Sequence, residues 1–181
     1  MTLFEPEVRP GFEWVLPVND DDHEYLWSLD GTPRLRGWRP IPVTRLTVDE
    51  DGQPRAASDF PWLGTHVLVL RERAVAALEP ALLSCGELLP LACPDAELWL
   101  FHALTVADAL DEAASGIVRF SDGEILTVER YEFHAEKVPS VPIFKVPQLL
   151  RGPLFMSEDF VDLVKTNDLR GFGCAAVWTP R

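Results

Sequence analysis

Asp59–Cys93, DFPWLGTHVLVLRERAVAALEPALLSCGELLPLAC, reads as an aromatic start, a strand, a short helix, a glycine and a second extended run. His66–Leu70 is short, apolar and β-branched, which suits a strand buried on at least one face. At Arg71 the period changes. Ala74, Val75, Leu78 and Leu82 recur at helical spacing, with Arg71, Glu72, Arg73 and Glu79 largely off that face. Pro80 lacks a backbone donor and biases Glu79 away from helical angles, so a kink or restart is predicted there. Gly86 is the predicted left-handed stop, and Glu87–Leu91 leaves in extended form.

Pro153–Trp178 repeats this grammar more loosely. Leu154–Met156 is a strand candidate, Ser157 a helix cap, and Glu158 and Asp159 suit the positive end of a helix dipole. Phe160, Leu163 and Val164 form an apolar face, Gly171 a stop, and Gly173–Trp178 a closing strand. Two copies make no solenoid. Two unrelated strand–helix–strand units are expected rather than a duplication.

Working outward, Phe12–Val18 and Glu24–Leu29 read as strands joined by an acidic turn at Asn19–Asp22. Pro40 and Pro42 argue against a central strand in 35–48. Asp49–Pro54 is a polar turn. Leu98–His102 is a strand. Thr105–Asp108 has capping-box form, and Val106, Ala109, Leu110 and Ala113 predict a helix face. Ile117–Phe120 and Glu124–Phe133 flank Ser121-Asp122-Gly123 as a hairpin, and Ser140–Val146 is a proline-marked edge strand.

The predicted fold is α+β: a mostly antiparallel sheet with two or three short helices. Residues 1–57 form an irregular β-rich N-terminal lobe of a single domain, and residues 58–181 its α+β core. The chain has 181 residues, 47% of them hydrophobic, with six Trp, enough for one packed core. Trp62, Leu78, Leu91, Trp99, Phe160 and Trp178 are predicted in it. No apolar run reaches a membrane span, and MTLFEPEVRPG lacks a signal pattern, so a cytoplasmic protein is expected.

No chemistry emerges from motifs. Cys85, Cys93 and Cys174 match no zinc spacing and read as buried thiols. Cys85 or Cys93 with His66 or His102 is a conceivable nucleophile–base pair, but no motif places them together. Asp108, Asp111 and Glu112 could share a helix face but read better as solvated carboxylates. His23 alone is no metal site, and Gly171-Phe172-Gly173 lacks a phosphate loop's third glycine. No catalytic residue, cofactor or metal is expected.

Charge is more informative. The net charge of −13 argues against nucleic acid as a direct ligand and is compatible with a basic protein partner. It is also segregated: no Lys or Arg lies between Arg9 and Arg34, or between Arg73 and Arg119. The clusters Asp20, Asp21, Asp22 with Glu24, and Asp49, Glu50, Asp51, sit on predicted turns and are the candidate partner-binding residues.

Several strings carry a resemblance. They are Ser58-Asp59-Phe60-Pro61-Trp62, Leu78-Glu79-Pro80, Gly86-Glu87, Leu89-Pro90-Leu91, and Asp108-Ala109-Leu110-Asp111 with Ser115. Tyr131–Phe133, Ile143-Phe144-Lys145, Glu158-Asp159-Phe160 and Gly171-Phe172 complete the series. In this order, over roughly 30–178, they resemble a bacterial family once known only as a domain of unknown function. It is now grouped with the immunity proteins of polymorphic toxin systems, number eleven in that nomenclature. The resemblance implies a cytoplasmic protein that binds and neutralises a cognate toxin domain, with no enzyme activity. The residues by themselves leave open a small enzyme with a Cys/His or carboxylate site, or an acidic adaptor for a secreted effector.

Overall fold

The computed structural model describes residues 1–180. In chain order the strands and helices are β1 (Leu3–Pro6), β2 (Trp14–Pro17), α1 (Asp20–Trp27), β3 (Ile41–Leu46), β4 (Leu68–Arg71), α2 (Glu72–Leu83), β5 (Gly86–Ala92) and β6 (Leu98–Ala103). Then come β7 (Gly116–Arg119), β8 (Ile125–Arg130), β9 (Ile143–Phe144), β10 (Phe155–Ser157), α3 (Glu158–Thr166) and β11 (Cys174–Trp178). The fold is α+β, with mostly antiparallel sheets.

The two stretches that share a grammar also share a topology. β4 and β5 each pair antiparallel to β6, which lies between them, so β4 and β5 run in the same direction. β10 and β11 flank β1 in the same way. Each unit is therefore a strand–helix–strand crossover split by one antiparallel strand. The first belongs to a five-stranded sheet, β2-β3-β5-β6-β4, and the second to a four-stranded sheet, β11-β1-β10-β9. Leu78 and Leu82 of α2, Phe160, Val161 and Val164 of α3, and Met156 and Ile143 of the smaller sheet form one cluster. The N-terminal 57 residues supply β1 to one sheet and β2 and β3 to the other.

The apolar run at 66–70 is continuous because its sheet is buried on both faces. Leu68 and Leu70 face the α2–α3 cluster, whereas Val67 and Val69 join Val15, Leu26, Leu29, Val43 and Leu89 on the opposite side. Leu3, Phe133, Phe144, Phe155 and Trp178 make a third cluster. Leu78, Leu91, Phe160 and Trp178 are buried as predicted, while Trp62 and Trp99 are only half-buried.

Several local expectations hold. Ser157 caps α3 by accepting a 3.2 Å bond from the Phe160 N–H. β7 and β8 form the predicted hairpin, with Gly123 at φ 93° in its turn. β9 is an edge strand, shorter than predicted.

Others fail for tertiary reasons. Residues 24–29 are not a strand: α1 begins at Asp20, and Leu26 and Leu29, three apart, are the buried pair. Thr105–Ala113 is not a helix. Its backbone pairs instead with distant chain, Ala107 N–H to Lys145 O (2.8 Å), His134 N–H to Ala109 O (2.8 Å) and Asp111 N–H to Glu132 O (2.9 Å). Helix α2 continues through Pro80, because Pro80 and the Ala76 carbonyl it leaves unbonded both lie at the exposed surface, where water can replace the bond. Gly86 is no left-handed stop. It opens β5, and a Cβ there would run into the His102 carbonyl and the Phe101 ring. Pro42 sits in β3, which is central. It adjoins Val43, the last residue paired with β2, and its carbonyl accepts from the Val18 N–H at 2.9 Å, so its missing N–H affects only the end of the ladder. Pro90 is tolerated similarly inside β5: its carbonyl side lies beyond the end of the β3 pairing and is covered by the Trp38 indole, whose Nε1 donates to it at 2.8 Å.

Candidate partner-binding surface

Helix α1 is positioned by the segment that succeeds it. Of its eight residues only Leu26 is buried. The 28–38 segment is then fastened down by buried polar side chains. Lys145, fully buried, donates to the Leu29 and Leu150 carbonyls at 3.0 and 2.9 Å. His102 Nε2 lies 3.0 Å from the Thr32 carbonyl. Glu87 accepts from the Arg34 and Leu35 N–H groups at 2.5 and 3.1 Å. A backbone held this way cannot rotate out without leaving several buried groups unpaired. Burial pulls the Lys145 ammonium down to about 8, with Asp30 opposing the shift.

Asp20, Asp21 and Asp22 lie in the first turn of α1, not in a hairpin turn, where the helix dipole favours them. The Asn19 amide donates to Asp22 Oδ2 at 2.8 Å. Asp20, Asp21 and Glu24 are exposed. Glu24 also lines a groove of about 440 Å³, with Leu16, His23, Leu26, Trp27, Leu63 and His66. Trp27 is 63% exposed, the most exposed large hydrophobic residue among those described. Its ring meets His66 edge-on, at 6.4 Å between centroids. His66 is 7% exposed, and its buried Nε2 has no hydrogen-bond partner.

Burial, with the Lys145 charge as a lesser cause, depresses His66 to about 4. The folded state therefore binds fewer protons here than the unfolded chain, whose histidine titrates near 6.5. The resulting stability is full above about pH 6.5 and is lost as pH falls toward 4. Burial lowers His102 as well, with the same sign. Wild-type unfolding free energy is expected to drop by about 2 kcal/mol between pH 7 and pH 5 on account of His66. In urea titrations His66→Gln should show a clearly shallower pH dependence.

Asp49, Glu50 and Asp51 are on the predicted turn, but Asp49 Oδ1 is engaged in folding it, accepting from the Asp51 and Gln53 N–H groups at 3.0 and 2.8 Å. This turn comes after β3 at the end paired with Trp14, whereas α1 comes after β2 at the end paired with Val43. The structure brings Asp20–Asp22 and Glu24 together. It sets Asp49–Asp51 apart from them by the length of β2, about 10 Å or more.

Among the described residues neither Cys85 nor Cys93 hydrogen-bonds to His66 or His102. Cys85 is buried with its Sγ toward the Ala81 and Leu82 carbonyls, and Cys93 Sγ contacts Asp95 Oδ1 at 3.2 Å. Burial pushes all three thiols up, the opposite of activation. Asp108 accepts from Gln148, Asp111 from the Ala113 and Ala114 N–H groups, and Glu112 from Arg119, so no two of them share a site. Among the described residues no group of three or more His, Cys, Asp or Glu could hold a metal ion. No helix among them is long and apolar enough to cross a membrane.

The meeting of Trp27 and His66 in this groove was not legible in the sequence, which suggested a strand for the first and a candidate base for the second. The available signal was the N-cap pattern of Asn19 before three aspartates, with Leu26 and Leu29 at helical spacing.

No curated protein matches the chain. A family model does match, from the end of β5 to the end of β11. That span includes the strings from Asp108 onward that carried the resemblance, and leaves α1 and its groove outside. Over residues 92–178 the chain matches the Immunity protein family (Imm11), the family its sequence resembles.

Proposed function

We propose that this protein is an immunity protein that binds a cognate bacterial toxin domain in the cytoplasm of the producing cell and blocks it without catalysis. The match of residues 92–178 to an immunity family carries this reading. The surface supports binding rather than chemistry: thiols whose pKa burial raises, carboxylates engaged with different partners, and a helix, followed by an anchored segment, that presents clustered acid. Asp20, Asp21, Asp22 and Glu24 form the proposed contact for a basic toxin surface. Asp49, Glu50 and Asp51 form a second one, available to a partner that spans the length of β2.

The test is calorimetric titration of the cognate toxin domain at two salt concentrations. Replacing Asp20, Asp21 and Asp22 by Asn should slow association and reduce the salt dependence of binding. Stability should stay within about 0.5–1 kcal/mol of wild type, because the substitutions are on the surface. Equal affinity and equal salt dependence would move the interface elsewhere.

A further inference from the structure

We infer that the groove between α1 and His66 seats one large apolar side chain of a Lys- or Arg-bearing toxin segment, with Trp27 as the anchor and the His66 ring as one wall. This inference rests on the immunity reading above and specifies its contact.

Three observations meet at one place. Trp27 stands 63% exposed on a helix whose neighbouring Leu26 is buried at 2%. Val18 (60%) and Leu35 (57%), on the segments flanking α1, are also exposed. A tryptophan in the open on a well-held element is the residue type that dominates binding energy when a partner covers it.

His66 forms one wall of the groove. His66 is buried, and the depression of its pKa keeps the ring neutral at physiological pH, so its unpartnered Nε2 does not repel a cationic neighbour.

The charge around the groove selects the occupant. Glu24 lines it, Asp20 and Asp21 lie one turn earlier on the same helix, and no Lys or Arg occurs in the sequence between Arg9 and Arg34. Arg34 itself is engaged with Asp30 at 3.3 Å. An apolar side chain flanked by lysine or arginine suits the groove and the acidic helix turn together, whereas a second copy of this chain would bring like charge against like charge.

The test uses the full chain and a catalytically inactivated cognate toxin domain, with affinity read by biolayer interferometry. Trp27→Ala should weaken binding by about thirtyfold or more, and Trp27→Phe by less. Phe120→Ala, which removes another exposed aromatic (52%) on the β7–β8 turn, should bind as wild type does. A thermal melt of Trp27→Ala that overlays wild type excludes misfolding as the cause. In wild type, the His66 imidazole nitrogen resonances should shift on adding the toxin. Wild-type affinity in a folded Trp27→Ala variant, or unmoved His66 signals in a formed complex, overturns the groove while leaving the immunity reading intact. No binding by wild type overturns the immunity reading itself. Sedimentation showing a wild-type dimer that Trp27→Ala abolishes would assign the groove to self-association and overturn the inference.

Discussion

Glu13→Ala should lower the unfolding free energy by about 3–5 kcal/mol, the usual cost of breaking a buried ion pair by removing one partner. Glu13 is 1% exposed at the foot of β2 and joins four parts of the chain. Its Oε1 accepts from Arg71 Nη2 at 2.5 Å, Arg71 Nε at 3.1 Å and the Ser58 N–H at 3.0 Å. Its Oε2 accepts from Arg45 Nη1 at 2.9 Å, and Arg45 reaches on to Asp95. The arginine side chains are 17% and 24% exposed, so water recovers part of their loss and places the effect at the lower end of the range. The Ser58 N–H is buried and recovers nothing. Glu13→Gln keeps the shape and one acceptor and should cost clearly less. Urea unfolding followed by far-UV circular dichroism measures both, and a loss below about 1 kcal/mol for Glu13→Ala would show the network to be dispensable.

Phe155→Ala should cost a similar amount, about 3–5 kcal/mol, for a different reason. Phe155 is fully buried in β10. Its ring meets Phe133 at 5.1 Å and Tyr131 at 5.2 Å, both edge-on, and Phe144 at 5.7 Å. Truncation removes these contacts and leaves a cavity between elements that are already paired by backbone and cannot collapse onto it. Phe155→Leu retains most of the volume and should lose less than half as much. With roughly 5–15 kcal/mol available to a domain of this kind, either alanine variant approaches the limit of folding at 37 °C. Equal denaturation midpoints for Phe155→Ala and wild type would exclude this cluster from the stabilising core.

Local pattern sufficed wherever a segment's own residues and its nearest neighbours decide its conformation. The helical spacing of Ala74, Leu78 and Leu82, the Ser157 cap ahead of Glu158 and Asp159, and the Asp122-Gly123 turn of the β7–β8 hairpin are such cases. Each depends on bonds reaching only a few residues along the chain. The immunity resemblance was legible too, in ordered strings whose later part falls in the matched stretch.

Long-range pairing decided the rest. Thr105–Ala113 has helix-forming residues, but Lys145 and His134 offered its backbone hydrogen bonds and burial that an isolated turn of helix could not equal. Pro42, Pro80 and Pro90 each contradict a local rule. Whether a missing N–H matters depends on what lies opposite it, and that is settled by sheet order and solvent, not by neighbours in sequence. The candidate surface is of this second kind. The acidity of residues 20–24 was visible in the chain, but the meeting of Trp27 with His66, thirty-nine positions further on, depended on α1 folding as a helix over the five-stranded sheet. Composition determined that this protein is acidic and rich enough in apolar residues to fold. Only packing across the chain decided where an aromatic side chain stays exposed beside an unpaired buried histidine, because burial is a property of distant segments brought together.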